Sequence, residues 1–229
     1  MIWSGNTLMK KARNFLKQDW YLLLIVAAGF LLGAFFYPRL PAHVPDHWDS
    51  AGQINGYESR FSGAFFMPFM ALGTYLLLCV LPLIDPHAKN YEKFRGSYQM
   101  IKCLSVTTFL VMQACTLLTT IGVKISINIV SGIVTSVVFI LTGNVMGRFR
   151  HNYFVGIKTP WTLANEEVWR KTHRFAAPVW VLGGLATLVL TLFNDRLIGI
   201  GILIAIAVMT ILPTVYSYLI FRRIGGEKH

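Results

Sequence analysis

Charge is scarce in this chain, and acid is the scarcer sign: ten Asp and Glu stand against 21 Lys and Arg in 229 residues. Only 14% of residues are charged while 55% are hydrophobic, and the apolar runs are too long for a globular core. The three cysteines, Cys79, Cys103 and Cys115, include no close pair and no metal-type spacing. They read as small buried hydrophobes, which argues against a disulfide framework or a zinc site. No Gly-rich phosphate loop, no Gly-x-Ser-x-Gly elbow and no His-Glu-x-x-His motif occurs, so an enzyme is disfavoured and no cofactor is expected. No internal repeat is convincing, which disfavours an inverted-repeat transporter.

What the chain has instead is six apolar runs: about 20–36, 61–84, 103–123, 125–146, 175–193 and 197–221. Roughly 20 helical residues cross the hydrocarbon of a bilayer, so each run reads as a span. The expected fold is an all-α integral membrane protein, a bundle of six transmembrane helices. The first run is long for a signal peptide and ends in Phe-Phe-Tyr-Pro-Arg rather than a small-residue cleavage site. No Asp, Glu, Lys, Arg or His falls inside any run as bounded here. Proton relays, ion-coupled carriers and voltage sensors need such groups. A transporter or channel, or a membrane-embedded enzyme, is therefore the alternative reading rather than the leading one.

The excess of base is ordered along the chain. Lys10, Lys11, Arg13 and Lys17 precede the first run, and Lys89, Lys93, Arg95 and Lys102 follow the second. Arg148, Arg150, Lys158, Arg170, Lys171 and Arg174 follow the fourth, and Arg222, Arg223 and Lys228 follow the sixth. Arg39, Arg60, Lys124 and Arg196 alone fall on the other side. The bias places both termini and the segment 147–174 in the cytoplasm of a plasma membrane. It also explains the basicity by topology and attraction to anionic lipid, so no direct nucleic-acid partner is expected.

Turns near Lys124 and at Asn194-Asp195-Arg196 are short, which makes spans three and four, and five and six, antiparallel hairpins. Two loops are long enough to carry chemistry. In the external loop 37–60, Pro38, Pro41 and Pro45 stop the first helix and force an extended path. Asn55-Gly56 signals a turn, and Gly52 can take a positive φ. His43, Asp46, His47 and Asp49 invite a metal. However, His43 and His47 would align only on a helix, and Pro45 lies between them. A rigid interfacial loop without metal is the expected outcome, with His47 as a hydrogen-bonding member.

The cytoplasmic segment is denser. Thr159-Pro160 forces an extended residue and then a turn, and Trp161 is placed to anchor at the interface. Asn165 or Thr162 can cap a helix with Glu166 and Glu167 in its first turn and Arg170, Lys171 and Arg174 later. Glu166–Arg170 and Glu167–Lys171 are favourable i, i+4 pairs. Capping accounts for the glutamates more simply than an acid–base set with His173. Asn144, Asn152, Thr159, Thr162 and His173 are together expected to form a polar network beneath the membrane surface. Gly29-x-x-x-Gly33 and Gly143-x-x-x-Gly147 are expected small-residue contact faces, and Gln113 and Asn144 are expected to bond backbone or neighbouring helices.

Gly143-Asn144-x-Met146-Gly147, Asn152-x-Phe154-x-Gly156-Ile157, Thr159-Pro160-Trp161-Thr162-Leu163 and Trp169-x-x-Thr172-His173-Arg174 together resemble the signature of the SdpI immunity-protein family of bacterial membrane proteins. Pro45, His47-Trp48, Gly52 and Gly56-Tyr57 resemble its second hallmark, an N-terminal domain. Lys158 stands where the family usually carries Arg, which removes the fork for a bidentate contact, and Ala177 stands where a Gly is common. The resemblance implies two membrane domains, 1–100 with the external loop and 101–229 with the cytoplasmic segment. It also implies protection against a secreted, membrane-active peptide toxin, and signalling in which the engaged protein recruits a cytoplasmic transcriptional repressor. Pro45, His47, Trp48, Gly52 and Tyr57 would face the toxin. Asn144, Asn152, Gly156, Thr159, Pro160, Trp161, Thr162, Trp169, Arg170, Lys171, His173 and Arg174 would carry the cytoplasmic motif.

The charge bias across an even number of spans can be tested directly. Cysteines placed at Ser50 and at Asn165 should react with an impermeant thiol reagent from opposite sides of intact cells, Ser50 from outside. Reaction of both from one side would overturn the orientation.

Overall fold

The computed structural model describes residues 5–49, 52–193 and 197–226, with side chains described from Gln18 to Gly225 within those ranges. Ser50, the turn at Asn194-Asp195-Arg196, Lys228 and the side chains of Lys10, Lys11, Arg13 and Lys17 lie outside the described residues. Helix α1 (Gly5–Phe36) leads through a 3-10 turn (Tyr37–Arg39) to strands β1 (His43–Trp48) and β2 (Ile54–Ser59). The helices α2 (Arg60–Ile84), α3 (Asn90–Lys93), α4 (Arg95–Thr120), α5 (Ile127–Met146), α6 (Pro160–Ala164), α7 (Glu166–Phe193) and α8 (Ile198–Gly226) follow. Among the described residues, six helices are long and apolar enough to cross a membrane. The shortest, α5, has 20 residues, about 30 Å of helix and so one hydrocarbon thickness. The chain is a multi-pass membrane protein, and its described residues are mainly α-helical, with one β-hairpin among them.

The helices pack as two groups. Helices α1, α2 and α4 form one and α5, α7 and α8 the other, and α4 meets α5 where the groups join. Residue 100 therefore lies inside a helix that packs with the N-terminal group. Gly143 sits at a close approach of α5 and α7: a Cβ there would lie 2.8 Å from the Val181 nitrogen and 2.9 Å from the Ala177 oxygen. Gly33 likewise abuts the Ala64 carbonyl of α2. Only a missing side chain permits such backbone contact. Hydroxyls within the spans turn back on their own helices: Ser136, Thr187 and Thr191 donate to Gly132, Gly183 and Thr187 carbonyls at 2.7–2.9 Å. Gln113 of α4 instead ties three helices, its amide donating to Gly29 of α1 at 2.9 Å and Ala64 of α2 at 3.0 Å.

The apolar runs understate the helices. α4 begins at Arg95 and α7 at Glu166, well before residues 103 and 175. This matters for charge, because Asp19 and Lys102 fall just outside the runs yet inside α1 and α4, where they form a buried ion pair. Lys102 is thus not a loop cation. Gln99 also donates to Asp19, and the Tyr75 hydroxyl lies 3.5 Å from it. The carboxylate is thus surrounded by donors from α2 and α4. Removing one partner of such a pair strands a buried charge, whereas removing both does not. Asp19→Ala should lower stability by roughly 3 kcal/mol, and Asp19→Leu with Lys102→Met by much less. Reversible unfolding in mixed micelles would measure both, and equal losses would refute the pairing.

Candidate functional site

The end of the bundle carrying the α2–α4 and α5–α7 connections holds the densest polar chemistry. Asp85 ends α2, its N–H donating to the Leu81 carbonyl at 3.1 Å, and Pro86 blocks any continuation. Its buried carboxylate accepts from the His87 N–H at 2.7 Å through Oδ1. Oδ2 accepts from the Tyr91 hydroxyl and the Tyr153 N–H, both at 2.9 Å. Burial, then the bond to Asp85, pushes the Tyr91 hydroxyl far above its ordinary pKa, so it remains a donor at physiological pH. One carboxylate therefore fastens α3 and the 147–165 loop to the end of α2.

Asn152 organises the loop from within. It is fully buried. Its Oδ1 accepts from the N–H groups of Phe154 and Val155 at 2.9 and 2.7 Å, and its Nδ2 donates to the Arg150 and Val155 carbonyls at 2.8 and 2.9 Å. Both faces of the amide are used, so neither Asp nor Leu can replace it. His173 of α7 performs the next step. Its Nε2 accepts from the Ile157 N–H at 2.9 Å, and its Nδ1 lies 2.8 Å from the Trp169 carbonyl. An acceptor at Nε2 and a donor at Nδ1 describe the neutral imidazole. Trp169, 1% exposed, stacks on His173 with ring centroids 4.1 Å apart and donates to the Phe149 carbonyl at 3.0 Å.

Gly156 makes this possible. Its φ is +128°, and a Cβ would sit 2.4 Å from His173 Nε2. Helix α6 then opens with a reciprocal cap. Thr159 Oγ1 accepts from the Thr162 N–H at 3.1 Å, and Thr162 Oγ1 accepts from the Thr159 N–H at 2.9 Å. Pro160 occupies the first turn, where its missing N–H costs nothing. Thr159 also meets Ser217 of α8 at 3.1 Å, and Trp161 packs half-buried on Tyr218 of α8. That is a bundle contact for Trp161 rather than a free interfacial anchor. Asn165 caps α7 through the Glu167 and Val168 N–H groups.

Of the expected network, Asn152, Thr159, Thr162 and His173 are buried and connected, with Gly156 and Trp169 among them. Asn144 is not: it lies exposed on α5, with no hydrogen-bond partner among the described residues. Arg170 and Arg174 are exposed on the outer face of α7, and Lys171 pairs with Glu167 at 2.9 Å. Asp85, Tyr91 and His151 escaped the sequence reading. The Asp85-Pro86 helix stop, an isolated acid at the end of an apolar run, was the available signal. His151 meets the Leu163 carbonyl at 3.1 Å and His87 ring to ring at 4.6 Å. Burial, then the neighbouring His87, lowers its pKa, which favours the neutral ring.

At the opposite end lies the hairpin. Proline does force extension, but as a paired strand: Pro45 lies opposite Tyr57 in an antiparallel ribbon with two register irregularities. A two-stranded sheet has only edges, so proline is tolerated. The ribbon is closed by the Asp49 N–H donating to the Gln53 carbonyl and the Gly52 N–H to the Asp49 carbonyl, with Gly52 at φ +75°, and not at Asn55-Gly56, which lies in β2 against His47. His47 bonds Asn55 across the ribbon. Val44 and Pro45 are buried, Trp48 is half-buried opposite Ile54, and Tyr57 is 60% exposed. Among the described residues no group of three His, Cys, Asp or Glu is placed to hold a metal.

Gly156→Ala should force the loop away from His173. In reconstituted protein, tryptic cleavage at exposed Lys158 should then quicken severalfold while the spans stay protected. Unchanged cleavage would show that the loop does not depend on this contact.

Residues 24–72 match a domain of unknown function (DUF1648), and residues 148–217 match the SdpI/YfhL protein family. Immunity protein SdpI of Bacillus subtilis (strain 168) is 27% identical over 213 residues, covering 93% of this chain and 100% of that protein. No solved structure matches. The first matched region contains the hairpin and parts of the helices flanking it. The second contains the loop from Arg148, α6, α7 and much of α8. Both regions occur in order and the likeness to that immunity protein runs nearly end to end, so the chain is similar to the SdpI/YfhL family, with that family's own match confined to residues 148–217.

Proposed function

We propose that this protein is a membrane immunity protein, protecting a bacterial cell against a secreted, membrane-active peptide toxin by binding rather than by catalysis. The observation that carries the reading is the likeness to an immunity protein along essentially the whole of both chains. In this reading the hairpin lies outside the plasma membrane and both termini and the 147–165 loop lie in the cytoplasm, as the distribution of basic residues favours. The hairpin suits a peptide partner. Ile54 and Tyr57 expose apolar and aromatic surface on a short ribbon held down by Val44 and Pro45, so contact area is offered at little cost in ordering.

A signalling role is the finer part of the proposal. The exposed Arg170 and Arg174 project from a helix whose inner face, Val168, Trp169 and Thr172, is buried, with Trp169 stacked on His173 and bonded to the Phe149 carbonyl. A cytoplasmic repressor with an acidic surface could dock there, and toxin at the hairpin would shift the population of the docking-competent bundle.

Ile54→Ser with Tyr57→Ser should abolish protection of a toxin-sensitive cell while membrane abundance stays at the parent level. Arg170→Glu with Arg174→Glu should leave protection intact and stop a cytoplasmic regulator from moving to the membrane. Full protection by the first double variant would refute the hairpin as the toxin face. Loss of both outputs with reduced abundance in the second would assign the arginines to lipid contact.

A further inference from the structure

Between the hairpin and the tops of α2 and α4 lies a cavity of about 220 Å³, lined by Pro45, Asp46, Glu58, Ser62, Gly63, Phe66, Met67, Gln113 and Thr116. Its chemistry is one-sided. Asp46 and Glu58 contribute carboxylates, and no Lys or Arg lines it. Neither acid has a salt-bridge partner among the described residues. The basic residues nearby are turned to other partners: Arg39 donates to the Phe35 carbonyl and lies over the Phe35 ring, and Arg60 donates to the Pro41 carbonyl. Glu58 is opposite Val44 in the ribbon. Directly opposed residues share a face, and Val44 is buried against Gly63 of α2. Glu58 thus belongs to the face of the hairpin turned to the helices, although an outward position would hydrate it better.

The second observation is independent of the acids. Gln113, 1% exposed, also lines the cavity, and its Oε1 has no hydrogen-bond partner among the described residues. Its Nε2 is spent on Gly29 and Ala64. A buried amide oxygen without a donor is costly, and two carboxylates lining the same cavity deepen its surplus of acceptors. The walls between them are apolar: Phe66, Met67 and Pro45. We propose that this cavity binds an alkylammonium group, the side chain of a lysine or the N-terminal amine of a peptide. The ammonium would offer its three donors to Glu58, Asp46 and Gln113, and its aliphatic stem would lie along Phe66 and Met67. A bare metal ion fits less well, since a divalent ion seeks about six or more oxygens and gains nothing from apolar walls.

The inference deepens the immunity reading by giving the chemistry of the peptide group received, and its test does not need a toxin. Purified full-length protein in lipid nanodiscs would be treated with a carbodiimide that labels carboxyls, and Glu58 modification followed by mass spectrometry. n-Butylammonium at ten times its half-saturating concentration should slow labelling about tenfold. n-Butanol, and sodium chloride at equal ionic strength, should not. The Ser62 hydroxyl donates to Glu58 Oε2, and the same amine should raise the thermal midpoint of the parent but not of Glu58→Gln, whose amide oxygen can still accept from Ser62. No protection by the amine, or equal protection by sodium, would overturn the site. Amine binding by a protein that confers no toxin protection would preserve the site and reject the immunity reading.

Discussion

Everything at the loop end depends on how a stretch of irregular backbone is satisfied beside a membrane. Backbone N–H and C=O groups removed from water must find partners, and a loop cannot supply them from its own regular pattern. Asn152 makes four bonds to the loop's own backbone, two given and two received, and the chain closes around its side chain. Asp85 and His173 extend this principle to either side, taking the Tyr153 and Ile157 N–H groups. The loop is thereby fixed to α2 and to α7, elements from the two helix groups. Movement of one group against the other must pass through these contacts or break them.

The hairpin end is built on the opposite logic. Its ribbon rests on Val44 and Pro45, while its polar groups are left in excess of acceptor. Gln113 links α1, α2 and α4 directly beneath it. Asp19 and Lys102 tie α1 and α4 nearer the other end. The N-terminal group thus carries polar cross-links at two levels, whereas α5 and α7 meet through glycine-mediated backbone contact at Gly143. Such a group can transmit a displacement at the hairpin as a rigid body, because its helices are held by directional bonds rather than by apolar packing alone.

The six helices were legible because hydrocarbon thickness imposes long apolar runs, and the signal survives without tertiary information. Their ends were not. Arg95 to Lys102 and Glu166 to Arg174 are polar helix, invisible to an apolar criterion, and so Asp19 and Lys102 passed as boundary charges although they are buried together. Asn152, Thr159, Thr162 and His173 stood out as polar chemistry with no reason to be in a connector. Asn144 did too, yet it faces outward, since one position on a helix decides a side chain's face and a loop segment gives no phase for it. Asn55-Gly56 signals a turn by composition alone, and composition does not fix where a ribbon closes. The real turn is closed by Asp49 and Gln53, and the dipeptide is absorbed into an irregular strand. Asp85 carried the weakest sequence signal and one of the central roles. Its Oδ2 partners lie 68 and 6 residues away, and only the fold brings Tyr153 to it.

The central claim is that the segment 147–165 is a fixed part of the bundle and not a connector. Amide hydrogen exchange in lipid nanodiscs tests it most directly, with Phe154, Val155 and Ile157 as reporters. The account expects these three amides to exchange as slowly as the first turns of α7, and Asn152→Leu to release Phe154 and Val155 first. Exchange of all three at the rate of an unprotected loop, with α5 and α7 still protected, would contradict it.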